Sequence, residues 1–271
     1  MAQESSLTLT FPEPDIALLT FDTPGKGANV LSQPVLEDFE RKLASLESRS
    51  DIAGLIFSSG KPGIFIAGAD LREFLATLGA PAEQIISVSQ AGQALFARLS
   101  ACPFVTVAAI DGICVGGGAE LAIWCDRRIL SDNPKTEFGF PEVKLGLYPG
   151  WGGTARAPRI VGLGNAVELI TSGESIGPAE ALKQGLASAV TSPDALLGAA
   201  VRLIRLEQAT GDYLRDRQTW SGPLAISEAE LGFLGATASA VIQGQTKGQY
   251  PAPLAALEVL LGAAGETIET A

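Results

Sequence analysis

The stretch Ile110-Asp111-Gly112-Ile113-Cys114-Val115-Gly116-Gly117-Gly118-Ala119-Glu120-Leu121 lies near the middle of the chain, directly after the apolar run that begins at Phe104. β-Branched residues give way to three consecutive glycines and then to helix formers, the pattern of a strand turning tightly into a helix. Unpaired N–H groups at such a helix start face whatever lies beyond it, and negative charge is favoured there. The glycines do not fit the dinucleotide pattern G-x-G-x-x-G, and no G-K-[ST] follows for a phosphate loop. A glycine run before a helix also serves simple close packing, and Glu120 in a first helical turn can be an acid that only complements the dipole.

Towards the amino terminus, Ser6 to Phe11 and Ile16 to Phe21 flank the turn-forming Pro12-Glu13-Pro14-Asp15 and predict a hairpin. Ser32 is a candidate N-cap for a helix with Val35, Leu36, Phe39, Leu43 and Leu46 on one face. Ile52 to Phe57 reads as a buried strand, Gln84 to Leu99 as a helical region and Phe104 to Ile110 as another strand. This alternation predicts a layered α/β architecture. From Asn165 onward helices are separated by Gly and Pro: Ala179 to Gln184 between Pro178 and Gly185, then about Asp194 to Gln208, Ser227 to Ile242, and one after Pro253. No fixed-period repeat or low-complexity linker divides the 271 residues, so an α/β core over 1–190 and a helical region over 191–271 are read as one unit.

Composition narrows the chemistry. The chain has no histidine, which removes every Ser-His or Cys-His nucleophile, every His-bearing metal site and every imidazole acid or base. Proton transfer near neutral pH then falls first to carboxylates. A net charge of −11 argues against nucleic acid and anionic membranes as partners. Cys102, Cys114 and Cys125 form no C-x-x-C and predict inert core thiols in a reducing, cytoplasmic setting. Met1 to Ser6 lacks the apolar core of a secretory signal, and Pro103 to Trp124 is interrupted by Asp111, four glycines and Glu120, which reads as buried rather than membrane-spanning.

Two further segments stand out. Phe138-Gly-Phe-Pro-Glu142-Val-Lys-Leu-Gly-Leu-Tyr-Pro-Gly150-Trp-Gly-Gly153 places an acid among apolar neighbours, a setting that raises a carboxyl pKa toward the range of a general acid or base. Phe65-Ile-Ala67-Gly-Ala69-Asp70-Leu71 is a run of small residues that lets backbone approach a ligand.

In this order and spacing, Ile66 to Leu71, Gly116 to Leu121 and Phe138 to Gly153 resemble the crotonase superfamily and within it the enoyl-CoA hydratases and isomerases, over roughly Ser6 to Val190. The resemblance implies an α/β fold, a crotonase-like spiral of ββα units with a helical C-terminal region. It implies an oxyanion hole made by the N–H groups of Ala69 and Gly117, and Glu120 and Glu142 as catalytic carboxylates gripping one water. Gly150 falls where backbone orients water or acyl chain, and Ala67, Asp70 and Leu71 where backbone meets the adenine half of coenzyme A (CoA). Lys26, in a glycine-bearing loop, falls near the CoA phosphates. The segment from Thr246 to Val259 resembles the join between the hydratase and dehydrogenase parts of multifunctional fatty-acid oxidation α-subunits.

The activity this implies is that of an enoyl-CoA hydratase of fatty-acid β-oxidation, adding water across the C2–C3 double bond of a trans-2-enoyl-CoA. A Δ3,Δ2-enoyl-CoA isomerase, which needs only one base, and a non-catalytic acyl-CoA-binding or assembly subunit are the alternatives. No metal or cofactor is implied beyond the CoA carried by the substrate, and the expected assembly is a homotrimer or dimer of trimers. Arg156 and Arg159 read as structural ion-pair formers. Trp151 and Tyr148 read as either acyl-pocket walls or core packing. The loop Ser131 to Thr136 lengthens the 22-residue interval between the two glutamates.

Overall fold

A computed structural model describes residues 5–76 and 79–271, so part of the amino-terminal stretch considered for a signal, 1–4, lies outside the described residues. The expected hairpin forms from β1 (Leu7–Glu13) and β2 (Ile16–Phe21); β1 runs on through Pro12 because a register shift between Thr10 and Glu13 spares the ladder the missing proline N–H. α1 (Gln33–Glu47) buries Val35, Phe39, Leu43 and Leu46. Ser32 stands at its N-cap without a capping bond; the Gln33 N–H donates instead to Glu73 Oε2 at 2.8 Å.

The chain then alternates strands and helices: β3 (Gly54–Ser59), β4 (Ile64–Ile66), α2 (Leu71–Ala76), α3 (Ala82–Ala101), β5 (Val105–Ile110), β6 (Ile113–Val115) and α4 (Gly117–Trp124). It continues through β7 (Arg127–Ser131), β8 (Glu137–Gly139), a 3-10 turn at Pro141–Leu145, α5 (Gly153–Val161), α6 (Leu163–Ser172), β9 (Ser175–Ile176), α7 (Pro178–Lys183) and β10 (Ala189–Thr191). After a second 3-10 turn, Pro193–Ala195, come α8 (Leu196–Thr210), α9 (Asp212–Ser221), α10 (Glu228–Thr246) and α11 (Ala252–Ala263).

Two sheets result. One is six-stranded in the order β1-β2-β3-β5-β7-β10, the other four-stranded in the order β4-β6-β8-β9. Apart from the antiparallel β1–β2 and β8–β9 pairs, every join is parallel. The successive pairs β3–β4, β5–β6 and β7–β8 each lay one strand in each sheet before the chain turns into helix, which is the crotonase-like spiral of ββα units. β5 is buried at every residue, as a parallel strand covered on both faces must be. α8 seals the outer face of the first sheet with Leu196, Ala200 and Ile204. Gly54 admits it closely: a Cβ there would lie 2.6 Å from Ile204 Cδ1. α11 packs on α5 and α6.

Arg156 and Arg159 correct the ion-pair expectation, since among the described residues neither meets a carboxylate. Arg156 Nε donates to the Ile123 carbonyl at 3.1 Å, at the end of α4, and its guanidinium stacks 5.1 Å from the Trp124 ring and 4.6 Å from that of Trp220. Arg159 donates to the carbonyls of Gly222 and Glu266. A helix C-terminus carries unpaired carbonyls and partial negative charge, so a guanidinium is held there without an acid. The three cysteines are unpaired and buried, and burial pushes the Cys102 thiol up to about 12. No helix among the described residues is long and apolar enough to cross a membrane.

Candidate active site

Each glycine of the central run has a separate task. Gly116 adopts φ 56°, and its N–H bonds the Gly139 carbonyl at 3.0 Å, tying the turn to β8. A Cβ at Gly118 would lie 2.5 Å from the Ile66 carbonyl oxygen, so only glycine lets α4 press on β4. A Cβ at Gly117 would meet the Trp151 ring at 2.6 Å and the Ala69 nitrogen at 3.4 Å. The three glycines thus admit β8, the Trp151 ring and β4 in turn.

The two candidate oxyanion donors arise from different local structures. Ala69 forms a parallel bridge with Leu31, which uses the Gly68 carbonyl (2.9 Å) and the Asp70 N–H (3.1 Å) and leaves the Ala69 N–H turned away. The Gly117 N–H is a first-turn donor of α4 with no residue before it to accept. Among the described residues neither N–H has an acceptor, and the Gly117 contact distances put the two groups side by side.

Glu120 projects from the first turn of α4 and is only 3% exposed. Its Oε1 accepts the N–H groups of Trp151 at 2.7 Å and Gly153 at 2.9 Å, the latter at the start of α5, where the helix dipole favours a carboxylate. Even so, burial and the charge of Glu142 outweigh those two donors and push the carboxyl up to about 8. Glu142 sits in the Pro141–Leu145 turn with Oε1 3.4 Å from where a Gly116 Cβ would be. Its Oε2 is buried with no protein partner among the described residues, and burial pushes this carboxyl up to about 7. The two carboxyls repel, so ionising one disfavours ionising the other.

The remaining sequence candidates are placed as follows. Gly150 offers its carbonyl to Ser89 Oγ and, at 2.9 Å, to Gln93 Nε2 of α3, so that oxygen is engaged in holding α3. The Ala67 N–H bonds the Asn29 carbonyl at 2.9 Å and that of Asp70 bonds Leu31; the Asp70 carboxylate caps α2 through the Arg72 N–H at 2.9 Å and its guanidinium at 2.6 Å, which holds it down at about 2. Leu71 is exposed at the start of α2. Lys26 is exposed in the loop after β2, with its N–H on the Thr23 carbonyl. Trp151 and Tyr148 part ways: Tyr148 is exposed, whereas the Trp151 indole is wedged between Gly92, Phe96 (centroids 5.6 Å apart) and Gly117.

Sequence reasoning missed the groups that aim these residues. Trp124 Nε1 donates to the Trp151 carbonyl at 2.9 Å and so fixes the peptide unit that lies between the two N–H groups, of Trp151 and Gly153, that hold Glu120. Asn29, 1% exposed, donates to the carbonyls of Phe21 and Phe65 and accepts the Thr23 N–H at 2.9 Å, pinning the loop that carries Ala67 to Ala69. A buried asparagine between two strand ends is a signal the sequence does carry, because its four hydrogen-bonding sites must be satisfied.

The Enoyl-CoA hydratase/isomerase family model matches residues 13–212. The fatty acid oxidation complex subunit alpha of Idiomarina loihiensis is 39% identical over 270 residues, 99% of this chain and 37% of that protein. The protein of the same name from a Psychrobacter species is 36% identical over 260 residues, covering 95% of this chain and 36% of the relative. The chain therefore spans little more than a third of the curated relatives it matches. Among solved structures, human mitochondrial delta3-delta2-enoyl-CoA isomerase superposes with TM-score 0.70 at 25% identity, over 96% of this chain and 95% of that one. Enoyl-CoA hydratase from Bacillus anthracis gives 0.67 at 25%, over 96% and 89%. With two carboxyls and two acceptor-free N–H groups gathered at one glycine turn, and with a family match across most of its length, the chain belongs to the enoyl-CoA hydratase/isomerase family.

Proposed function

We propose that this chain is an enoyl-CoA hydratase. The observation that carries the reading is the presence of two buried carboxyls, Glu142 with a buried Oε2 and Glu120 with an Oε2 that both lack a protein partner among the described residues, beside the N–H groups of Ala69 and Gly117. Hydration of R–CH=CH–CO–S–CoA forms a C3–O bond to water and a C2–H bond. The thioester oxygen takes on negative charge as C3 is attacked, and the two N–H groups receive it. One such donor is worth about 3–4 kcal/mol of transition-state stabilisation. One carboxyl takes a proton from the water as the other returns one to C2, and a pair in which ionising one disfavours ionising the other meets that balance. Glu120 has Oε1 pinned by two N–H groups, which leaves Oε2 for water; Glu142 brings Oε2. An isomerase needs only one of these acids, so two favour hydration. In this reading CoA enters as part of the substrate, the backbone from Ala67 to Leu71 meets its adenine and Lys26 its phosphates.

The purified chain mixed with crotonyl-CoA is expected to lose the absorbance of the conjugated thioester as 3-hydroxyacyl-CoA forms. No loss with short, medium or long 2-enoyl-CoA would overturn the reading. Conversion of a 3-enoyl-CoA in place of hydration would make the chain an isomerase, and binding without turnover an acyl-CoA-binding subunit.

A further inference from the structure

The connection from α10 to α11 passes through Lys247 at φ 53° and Gly248 at φ 71°, and it brings Tyr250 onto the turn that carries Glu142. The Tyr250 hydroxyl donates to the Val143 carbonyl oxygen and accepts the Gly146 N–H at 2.9 Å. These two groups bracket the turn: Val143 follows Glu142, Gly146 closes the turn, and the next N–H, of Leu147, returns to the Glu142 carbonyl at 3.1 Å. Behind it Val143, Lys144, Ile242, Thr246 and Tyr250 line a cavity of about 300 Å³, so this side of the turn is not packed solid. Lys144 pairs across it with the well-exposed Glu174, and an exposed pair contributes little. Among the described residues the tyrosine hydroxyl is the polar tether between the C-terminal segment and the turn.

We propose that Tyr250 is a positioning residue for Glu142: by holding the Val143 carbonyl and the Gly146 N–H it fixes the turn, and with it the carboxyl that lies beside Gly116 and Glu120. Its effect on turnover rests on the hydratase reading; its effect on the carboxyl itself does not. Tyr250→Phe keeps the ring and removes both hydrogen bonds. A loosened turn admits water to the buried Oε2 of Glu142, which favours the charged form. Glu120, from α4, is the titratable group facing it, while Lys144 on the turn itself is engaged by Glu174.

The test is a carboxyl titration by NMR of protein carrying 13C-labelled glutamate, with the Glu142 signal assigned by its loss in Glu142→Gln. Tyr250→Phe is expected to move that titration down, toward the ordinary carboxyl range, while the unfolding temperature confirms a folded protein. In steady-state hydration of crotonyl-CoA it is expected to lower kcat about 3- to 10-fold with KM within twofold. Added to Glu142→Gln, it is expected to cost nothing more, because both changes act through one group. A Glu142 titration that does not move overturns the proposal whatever the turnover, and so does a loss that adds in full to that of Glu142→Gln. A wild-type chain that hydrates nothing refutes the hydratase reading instead and leaves the titration to decide the role of Tyr250.

Discussion

Replacing Glu120 by Gln separates what this carboxyl does for the reaction from what it costs the fold. Glutamine keeps an oxygen to accept the N–H groups of Trp151 and Gly153 and is close in shape to a protonated glutamate, so the anchoring survives and the proton is lost. On the hydratase reading, loss of general acid–base help is expected to lower kcat for crotonyl-CoA about 100- to 10,000-fold. Stability is expected to move the other way. The folded carboxyl titrates at about 8 against an ordinary value of 4.5, so between these the folded chain binds the proton more tightly than the unfolded one, and wild-type stability falls as pH rises through that window. The gap, at about 1.4 kcal/mol per pH unit, caps the penalty at about 5 kcal/mol. The buried amide NH2 of Gln lacks a protein partner, which takes back about 1–3 kcal/mol of that. The expected net gain of about 2–4 kcal/mol at high pH corresponds to roughly 4–16 °C in Tm for a chain of this size. Thermal unfolding followed by circular dichroism from pH 4 to 9 should show the variant below the wild type near pH 4 by the cost of its amide, the two crossing between about pH 4.5 and 8, and the variant above the wild type and parallel to it beyond. A Glu120→Gln protein that is equally or less stable at pH 8.5 would refute the claim that burial, rather than a hidden partner, sets this carboxyl.

Gly117→Ala puts a methyl 2.6 Å from the Trp151 ring and 3.4 Å from the Ala69 nitrogen; kcat/KM for hydration is expected to fall about 100- to 1,000-fold, as for loss of an oxyanion donor. Gly118→Ala drives its methyl to within 2.5 Å of the Ile66 carbonyl oxygen, so the loss appears first as stability, about 1–3 kcal/mol or more by urea unfolding. Asp126→Asn breaks the buried pair in which Asp126, 0% exposed, accepts from Arg217 Nε at 2.6 Å and Thr106 N at 2.8 Å, and is expected to cost about 3–5 kcal/mol in the same assay. Burial raises all three thiols, so a disulfide-exchange reagent at pH 8 is expected to label none in the native protein and three in guanidinium.

The long elements were legible in their pattern: Val35, Phe39, Leu43 and Leu46 announce α1, and a run that is apolar but for Thr106 announces β5. The second sheet was not. β4, β6 and β8 have three residues each, too few for a period, and they exist because each lies against the next turn of the spiral, a relation between residues far apart in sequence. At the site, the motifs named Glu120 and Glu142, yet nothing in them says how either is aimed. The groups that hold Glu120 are main-chain N–H donors of Trp151 and Gly153, and every residue has an N–H. Trp124, Asn29 and Tyr250 act on backbone atoms of other segments, so their identity alone does not reveal their target.

The missing histidine can be understood in these terms. An imidazole titrates near neutrality unaided, whereas a carboxyl reaches that range only if burial raises it about three units, and burial is the same condition that strengthens a nearby oxyanion hole. The two glutamates meet it by different routes. Glu120 is enclosed and partly compensated by the start of α5, while Glu142 rides on a short turn and keeps an oxygen uncompensated. Removing the anchors of one therefore changes its charge state in the opposite sense to loosening the turn of the other: without the Trp151 and Gly153 donors Glu120 would rise further, and with water admitted Glu142 would fall. On the hydratase reading, a pair in which ionising one carboxyl disfavours ionising the other keeps a proton available for C2.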